Sequence, residues 1–280
     1  MAAITELSSR VHRSCRHLVC VAAGVLLLLG GCGTLENGRG WGQDALWPID
    51  GERVARAARD ALFHPGTLVP LAGAAVFAID DFDERVSDWA VKHNPIFGSE
   101  DGAEDASDYL RDAMEVEALV TALATPSGDS AEQWVPAKLR GGLVELGARG
   151  LTGSATSLIK DVTDRERPDR DNDRSFPSGH ASGASSGATL ANRNIQWIDS
   201  LEPWRPAIVT VNTITVGATA WARVEARRHF PSDVLAGAAL GHFISAFIHD
   251  AFLNLPEDGN VDVGAISEED WAGIEVRIRF

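Results

Sequence analysis

Three segments of the 280-residue chain hold side chains whose types and spacing suit chemistry on an anion. The first runs from Lys160 to Arg167–Pro168. On an α-helix this spacing is two turns, so the two cations would share a face about 10 Å apart along the axis. Pro168 disfavours helix at Arg167 and lets the guanidinium turn back toward Lys160. Alone, basic residues in a last turn do no more than complement the helix dipole. The second segment is Pro177–Ser178–Gly179–His180. Ser178 suits an N-cap, Gly179 admits close backbone approach, and the free N–H groups at a helix start point at an anion. His180 then stands where a leaving oxygen needs a proton; the bland reading is a capped helix with an incidental histidine. The third segment joins Arg223, His229 and Asp233. Pro231 suits a first helical position, which sets His229 just before a helix and Asp233 in its first turn. An aspartate four residues on can hold a histidine Nδ1–H and leave Nε2 free to attack. Alone, the pair reads as a first-turn acid and a surface histidine.

In order and in internal spacing the three segments together resemble the signature of the type 2 phosphatidic acid phosphatase family. That family lies within the superfamily shared with vanadium haloperoxidases and bacterial non-specific acid phosphatases. The run HFPSDVLAGAALG from His229 is similar to the family as well, and the resemblance covers about residues 105–250. One departure is Ala222, where the family usually has serine before the third-segment arginine, so the phosphate site lacks one hydroxyl. The resemblance implies an all-α helical bundle in which Lys160, Arg167, Arg223, Ser178 and the Gly179 N–H bind phosphate oxygens. It implies that His229 attacks phosphorus to give a phosphohistidine, oriented by Asp233, while His180 protonates the leaving alcohol and then activates water. It implies neither metal nor cofactor, since guanidinium and ammonium groups supply the charge. The expected substrate is a phosphorylated lipid, an isoprenyl diphosphate or a small phosphate ester. Two alternatives are a vanadate-dependent haloperoxidase, with His229 as the vanadate ligand, and a non-catalytic envelope lipoprotein.

Composition bounds these readings. A hydrophobic content of 45% and this length suit one good-sized core. A net charge of −15 repels nucleic acid at long range, so none is expected as partner, and any anionic substrate has to be captured by a local basic site. At the N-terminus, Arg10, Arg13 and Arg16 precede an apolar run from Leu18 to Leu29, too short for a permanent span, and then Gly30–Gly31–Cys32. Leu29–Gly30–Gly31–Cys32 resembles a bacterial lipobox, which implies an exported lipoprotein anchored to a membrane through lipidated Cys32 and facing the periplasm. Gly33, where an aspartate would hold it at the inner membrane, leans the reading toward the outer membrane. Maturation would leave Cys32 alone of Cys15, Cys20 and Cys32, hence no disulfide framework.

The expected organisation is a signal peptide over 1–31, a Gly-rich tether over 32–50, a helical domain over 51–255 and a non-helical tail over 256–280. Helices are predicted over about 52–63, 68–79, 104–125, 132–166, 178–195, 205–225 and 231–253. Alternation of Ile274, Val276, Ile278 and Phe280 predicts a short edge strand. Pro206–Ala222 and Val234–Phe247, rich in small residues, read as buried core helices rather than membrane spans. The acidic stretches Asp80–Glu84 and Ser99–Glu117 read as solvated faces. Gly183–Ala184–Ser185–Ser186–Gly187 fits a nucleophile-elbow pattern but falls inside a predicted helix, where close helix packing explains the glycines better. His64, His93, His242 and His249 show no metal-ligand spacing and read as packing or surface histidines. Trp41 and Trp47 suit either a tether near the membrane interface or a core.

Overall fold

The computed structural model describes residues 31–46, 49–255, 261–268 and 271–278. Within them the chain forms α1 (Gly51–Phe63), α2 (Pro65–Phe77), α3 (Phe82–His93), α4 (Glu100–Ala124), α5 (Ala131–Thr163), α6 (Gly179–Asn194), α7 (Arg205–Glu225) and α8 (Pro231–Phe252). Two short 3-10 segments join α6 to α7. The tail forms β1 (Val261–Glu268) and β2 (Trp271–Ile278), antiparallel and in register from Val261↔Ile278 to Glu268↔Trp271. The expected all-α bundle with a non-helical tail is therefore what the chain builds. Helix α3 had no counterpart in the sequence reading, although Phe82, Val86, Trp89 and Ala90 recur at helical spacing.

Small residues let these helices approach closely. Helix α8 lies centrally, packed on α1, α2, α5, α6 and α7. A Cβ on Gly237 would come within 2.5 Å of the Ser178 carbonyl oxygen, and one on Gly241 within 2.1 Å of that of Ser182. Gly187 presses on Met114 in the same way, so the elbow-like pattern sits in a helix as packing, although Gly179 and Gly183 have room to spare. Hydroxyls link the same faces, from Ser185 to the Ala238 carbonyl at 2.7 Å and between Ser186 and Ser245 at 2.6 Å. Helix α8 is long and apolar enough to cross a membrane, yet it is more than half buried in the bundle. Helix α7 departs from the buried reading: its C-terminal half is buried, but Val211 and Ile214 are exposed.

The Gly-rich segment expected to be a tether is, over residues 31–46, a strap packed on the bundle. Its backbone bonds to the α4–α5 loop: the Ser127 N–H reaches the Gly31 carbonyl, Gly33 and Gly128 exchange both bonds, and the Trp41 N–H donates to Pro126 at 2.7 Å. Trp41 is 0% exposed and lies on Gly141, where a Cβ would come within 2.3 Å of the indole. Lys138 faces the same ring and donates from Nζ to the Ala122 carbonyl at 2.5 Å and to the Thr125 carbonyl at 2.6 Å, completing the end of α4. Burial lowers the Lys138 pKa to about 7. The tether reading failed because Gly and turn residues outweighed one large aromatic that needed a core. Trp47 and the predicted signal segment up to residue 30 lie outside the described residues. Trp41→Ala is expected to destabilise the protein by about 3–5 kcal/mol, measured by urea unfolding, as truncation of a fully buried aromatic does; a loss below about 1 kcal/mol would show the strap to be loosely held.

Candidate active site

Five helix ends converge at one end of the bundle. They are the first turns of α4, α6 and α8 and the last turns of α5 and α7. Seen from Ser107, the strap-bearing end of α4 at Ala124 lies about 26 Å away along the helix axis. The site and the exposed Cys32 therefore occupy opposite ends of α4.

His229 sits just before α8 and is 2% exposed. Its Nδ1 lies 2.7 Å from the Ser175 carbonyl, which has to accept Nδ1–H and so leaves Nε2 as the unprotonated nitrogen. Asp233 does not take this bond. Its nearer oxygen is 3.8 Å from Nδ1, too long for a hydrogen bond, which corrects the pairing read from the spacing of four. Asp233 instead holds the loop that carries the acceptor: Oδ2 receives the Ser175 hydroxyl at 2.6 Å and the Phe230 N–H at 2.8 Å, and its carbonyl receives the Ser178 N–H at 2.9 Å. Burial pushes the His229 pKa down to about 4, with Lys160 and Arg223 adding to the effect and Asp233 opposing it. Burial also raises the carboxyl of Asp233, but His229 and Arg165 more than offset this and hold it below its usual range.

Helix α5 ends at Thr163, where Asp164 turns left-handed (φ 47°) and its N–H closes on the Lys160 carbonyl. Arg167 therefore lies on the following loop and does not share a helix face with Lys160, contrary to the two-turn reading. The two still act on each other: burial lowers Lys160 to about 8, and Arg167 is the next cause. Lys160 Nζ donates to the Arg174 carbonyl at 2.6 Å. Arg223 is buried in the last turn of α7 and donates from Nη1 to Ser107 at 3.1 Å. Burial, with Arg167 and Arg228 adding, brings the Arg223 pKa down to about 10. The Nε groups of Arg167 and Arg223 are both buried donors without a protein acceptor. An orphaned N–H is costly, so a pair of them on neighbouring cations marks the place of an anion. Ser178 caps α6 and is fully buried, with Gly179 opening the helix and His180 next to it. His180 Nε2 is 2.6 Å from Asp108 and 2.8 Å from Arg111, and burial followed by Arg223 lowers its pKa to about 4. Ala222 is buried immediately before Arg223 and supplies no hydroxyl.

The sequence reading missed the residues that brace this site. Arg165 donates to Asp233 Oδ1 at 2.6 Å, to Ser232 at 2.8 Å and to Asp83 at 2.9 Å, and lies over the Phe230 ring. Asp83 is 2% exposed and also receives the Ser232 N–H at 2.8 Å and the Ser232 hydroxyl. The acidic stretches are thus not solvated faces throughout. Asp83 braces the start of α8 through Ser232, Glu104 receives Arg228 at 3.0 Å, and Asp108 holds His180. Arg165 stood inside the first segment as an unassigned spacer residue, and nothing local ties Asp83 to it. The packing histidines are as expected: His242 stacks on His64 and bonds Thr67, and His249 contacts Asp250. Among the described residues no group of three His, Cys, Asp or Glu is arranged to hold a metal ion.

Comparison with known proteins adds a family match and a similar fold. Residues 143–256 match the model of the PAP2 superfamily. The fold is similar to a solved structure described as the first transmembrane PAP2-type phosphatidylglycerolphosphate phosphatase from Bacillus subtilis. The TM-score is 0.50 at 20% identity, over 65% of this chain and 92% of that one. No curated protein matches the chain.

If Arg165 draws charge from Asp233, Arg165→Met moves the His229 titration upward from about 4, followed by NMR of the imidazole. Arg165→Lys should restore most of it. An unmoved titration in a folded Arg165→Met protein would reduce Arg165 to a structural link.

Proposed function

We propose that the chain is a metal-independent phosphatase that hydrolyses phosphate monoesters or diphosphates through a phosphohistidine at His229. The observation that carries this reading is the buried, single-tautomer His229 set beside two arginines whose Nε donors lack acceptors. A phosphoryl group placed there would receive charge-assisted bonds from Lys160, Arg167 and Arg223, and the N–H groups opening α6 would complete the cradle. These bonds strengthen as charge builds on the non-bridging oxygens in the transition state, which is what makes them catalytic and not merely binding. His229 Nε2 attacks phosphorus, the ester P–O bond breaks, and His180 gives its proton to the departing alkoxide. Water, deprotonated by His180, then cleaves the P–N bond and releases orthophosphate.

A lipid phosphate falls within this substrate class, as the similar structure is that of an enzyme described as acting on one. We read Cys32 as the lipidated anchor of an exported, periplasm-facing protein, with the outer membrane as its proposed location. The strap gives that anchor a geometric consequence. By itself it would not draw the site to the membrane surface, because the two lie at opposite ends of α4.

His229→Ala should lower phosphate release at least about 10⁴-fold, consistent with loss of a nucleophile, and orthovanadate should inhibit the wild type. A folded His229→Ala protein of near wild-type rate would remove the nucleophile from His229. The pH profile follows from the same groups. His229 has to be neutral and becomes so above about 4, whereas His180 has to be protonated and loses its proton over the same range. Lys160 loses its charge near 8. The maximum of kcat/KM is therefore expected on the acid side of neutrality; a profile still rising at pH 8 contradicts it.

A further inference from the structure

Helix α4 precedes the residues matched to the PAP2 model, and none of its side chains belongs to the three segments that suit an anion. Its second turn nevertheless borders the site. Ser107 is fully buried and accepts from Arg223 Nη1, and the next residue, Asp108, stands 2.6 Å from Nε2 of His180. Arg111 brings Nη1 to 2.8 Å from the same nitrogen, while its Nε and Nη2 are held by Asp112. The two helices are pressed together beside these contacts: a Cβ on Gly187 of α6 would come within 2.6 Å of the Met114 carbonyl oxygen on α4. One ring nitrogen cannot serve both neighbours. As Nε2–H it donates to Asp108; without its proton it accepts from Arg111. Burial and Arg223 on α7 disfavour the charged ring, Arg111 adds to them, and Asp108 acts in the opposite sense.

We propose that Asp108 is the positioning residue of the general acid: it takes Nε2–H of His180 and leaves Nδ1 for the leaving oxygen, while Arg111 competes for Nε2 and weakens the ring's hold on its second proton. The proposal rests on the phosphatase reading and assigns its acid–base step to one nitrogen. The charged ring gives its Nδ1 proton to the ester oxygen as the P–O electron pair departs with that oxygen. The ring is then neutral and still bonded to Asp108. Its Nδ1 takes a proton from water as the water oxygen attacks phosphorus, and the P–N pair returns to His229 Nε2. A carboxylate on one ring nitrogen thus fixes the tautomer that works at the other.

The test compares kcat/KM of the full chain on n-butyl phosphate, whose alkoxide needs a proton to leave, and p-nitrophenyl phosphate, whose phenolate departs with little help. Asp108→Asn should slow the butyl ester at least about tenfold more than the aryl ester, a part of what acid catalysis is typically worth. Asp108→Glu should recover some of that difference. Arg111→Gln should act in the other direction: His180 keeps its proton to higher pH, so the fall in kcat/KM that its deprotonation causes moves upward. A folded Asp108→Asn protein that slows both esters equally, or neither, overturns the assignment, as does an Arg111→Gln profile that stays in place or moves down. Phosphate release from neither ester by the folded wild type would instead sink the phosphatase reading itself.

Discussion

A nucleophilic imidazole has to be neutral, in one tautomer and aimed, and the 2.7 Å bond from His229 Nδ1–H to the Ser175 carbonyl meets the second and third demands together. Burial meets the first, keeping the ring unprotonated down to about pH 4. The carbonyl is useful only if its loop stays in place, and Asp233 provides this by bonding the Ser175 hydroxyl and the backbone of Phe230 and Ser178. Arg165 and Asp83 then fix Asp233 and Ser232 to α3. The chain of contacts from α3 to α8 is an arrangement for presenting one nitrogen.

The surrounding cations carry an opposite risk. Burial disfavours the charge on Lys160 and on Arg223, and the neighbouring Arg167 adds to this at both. The bundle limits the cost by satisfying part of each group: Lys160 bonds the Arg174 carbonyl and Arg223 bonds Ser107. The Nε donors of the two arginines are left unpaired. Such a site is least comfortable without an anion, which is the condition for tight capture by a chain whose net charge of −15 repels anions at a distance. Capture has to be local.

Much of this was legible in the sequence because the motifs are short. Ser178 at a cap, Pro231 in a first turn and the spacing of Arg223, His229 and Asp233 are local features that fix local geometry. What escaped reading depends on contacts far apart in the chain. Asp83 lies 149 positions from Ser232, and no periodicity could pair them. The acceptor for His229 is a backbone carbonyl, which every residue possesses, so the sequence pointed to the nearby aspartate instead. Arg167 was expected on a helix that in fact stops at the left-handed Asp164. The strap was misread for a compositional reason: its glycines admit tight backbone contact with the α4–α5 loop as readily as they would admit a flexible tether.

Covalent capture tests the central claim most directly. Acid-labile, base-stable phosphorylation can be sought by rapid-quench mass spectrometry after mixing the protein with a turned-over phosphate ester. The account predicts a phosphoryl group on His229 that builds up further in His180→Ala with an activated aryl ester, where water attack is slowed more than departure of the alcohol. Turnover with no phosphoprotein in either form, or a phosphoryl group on any other residue, would contradict it.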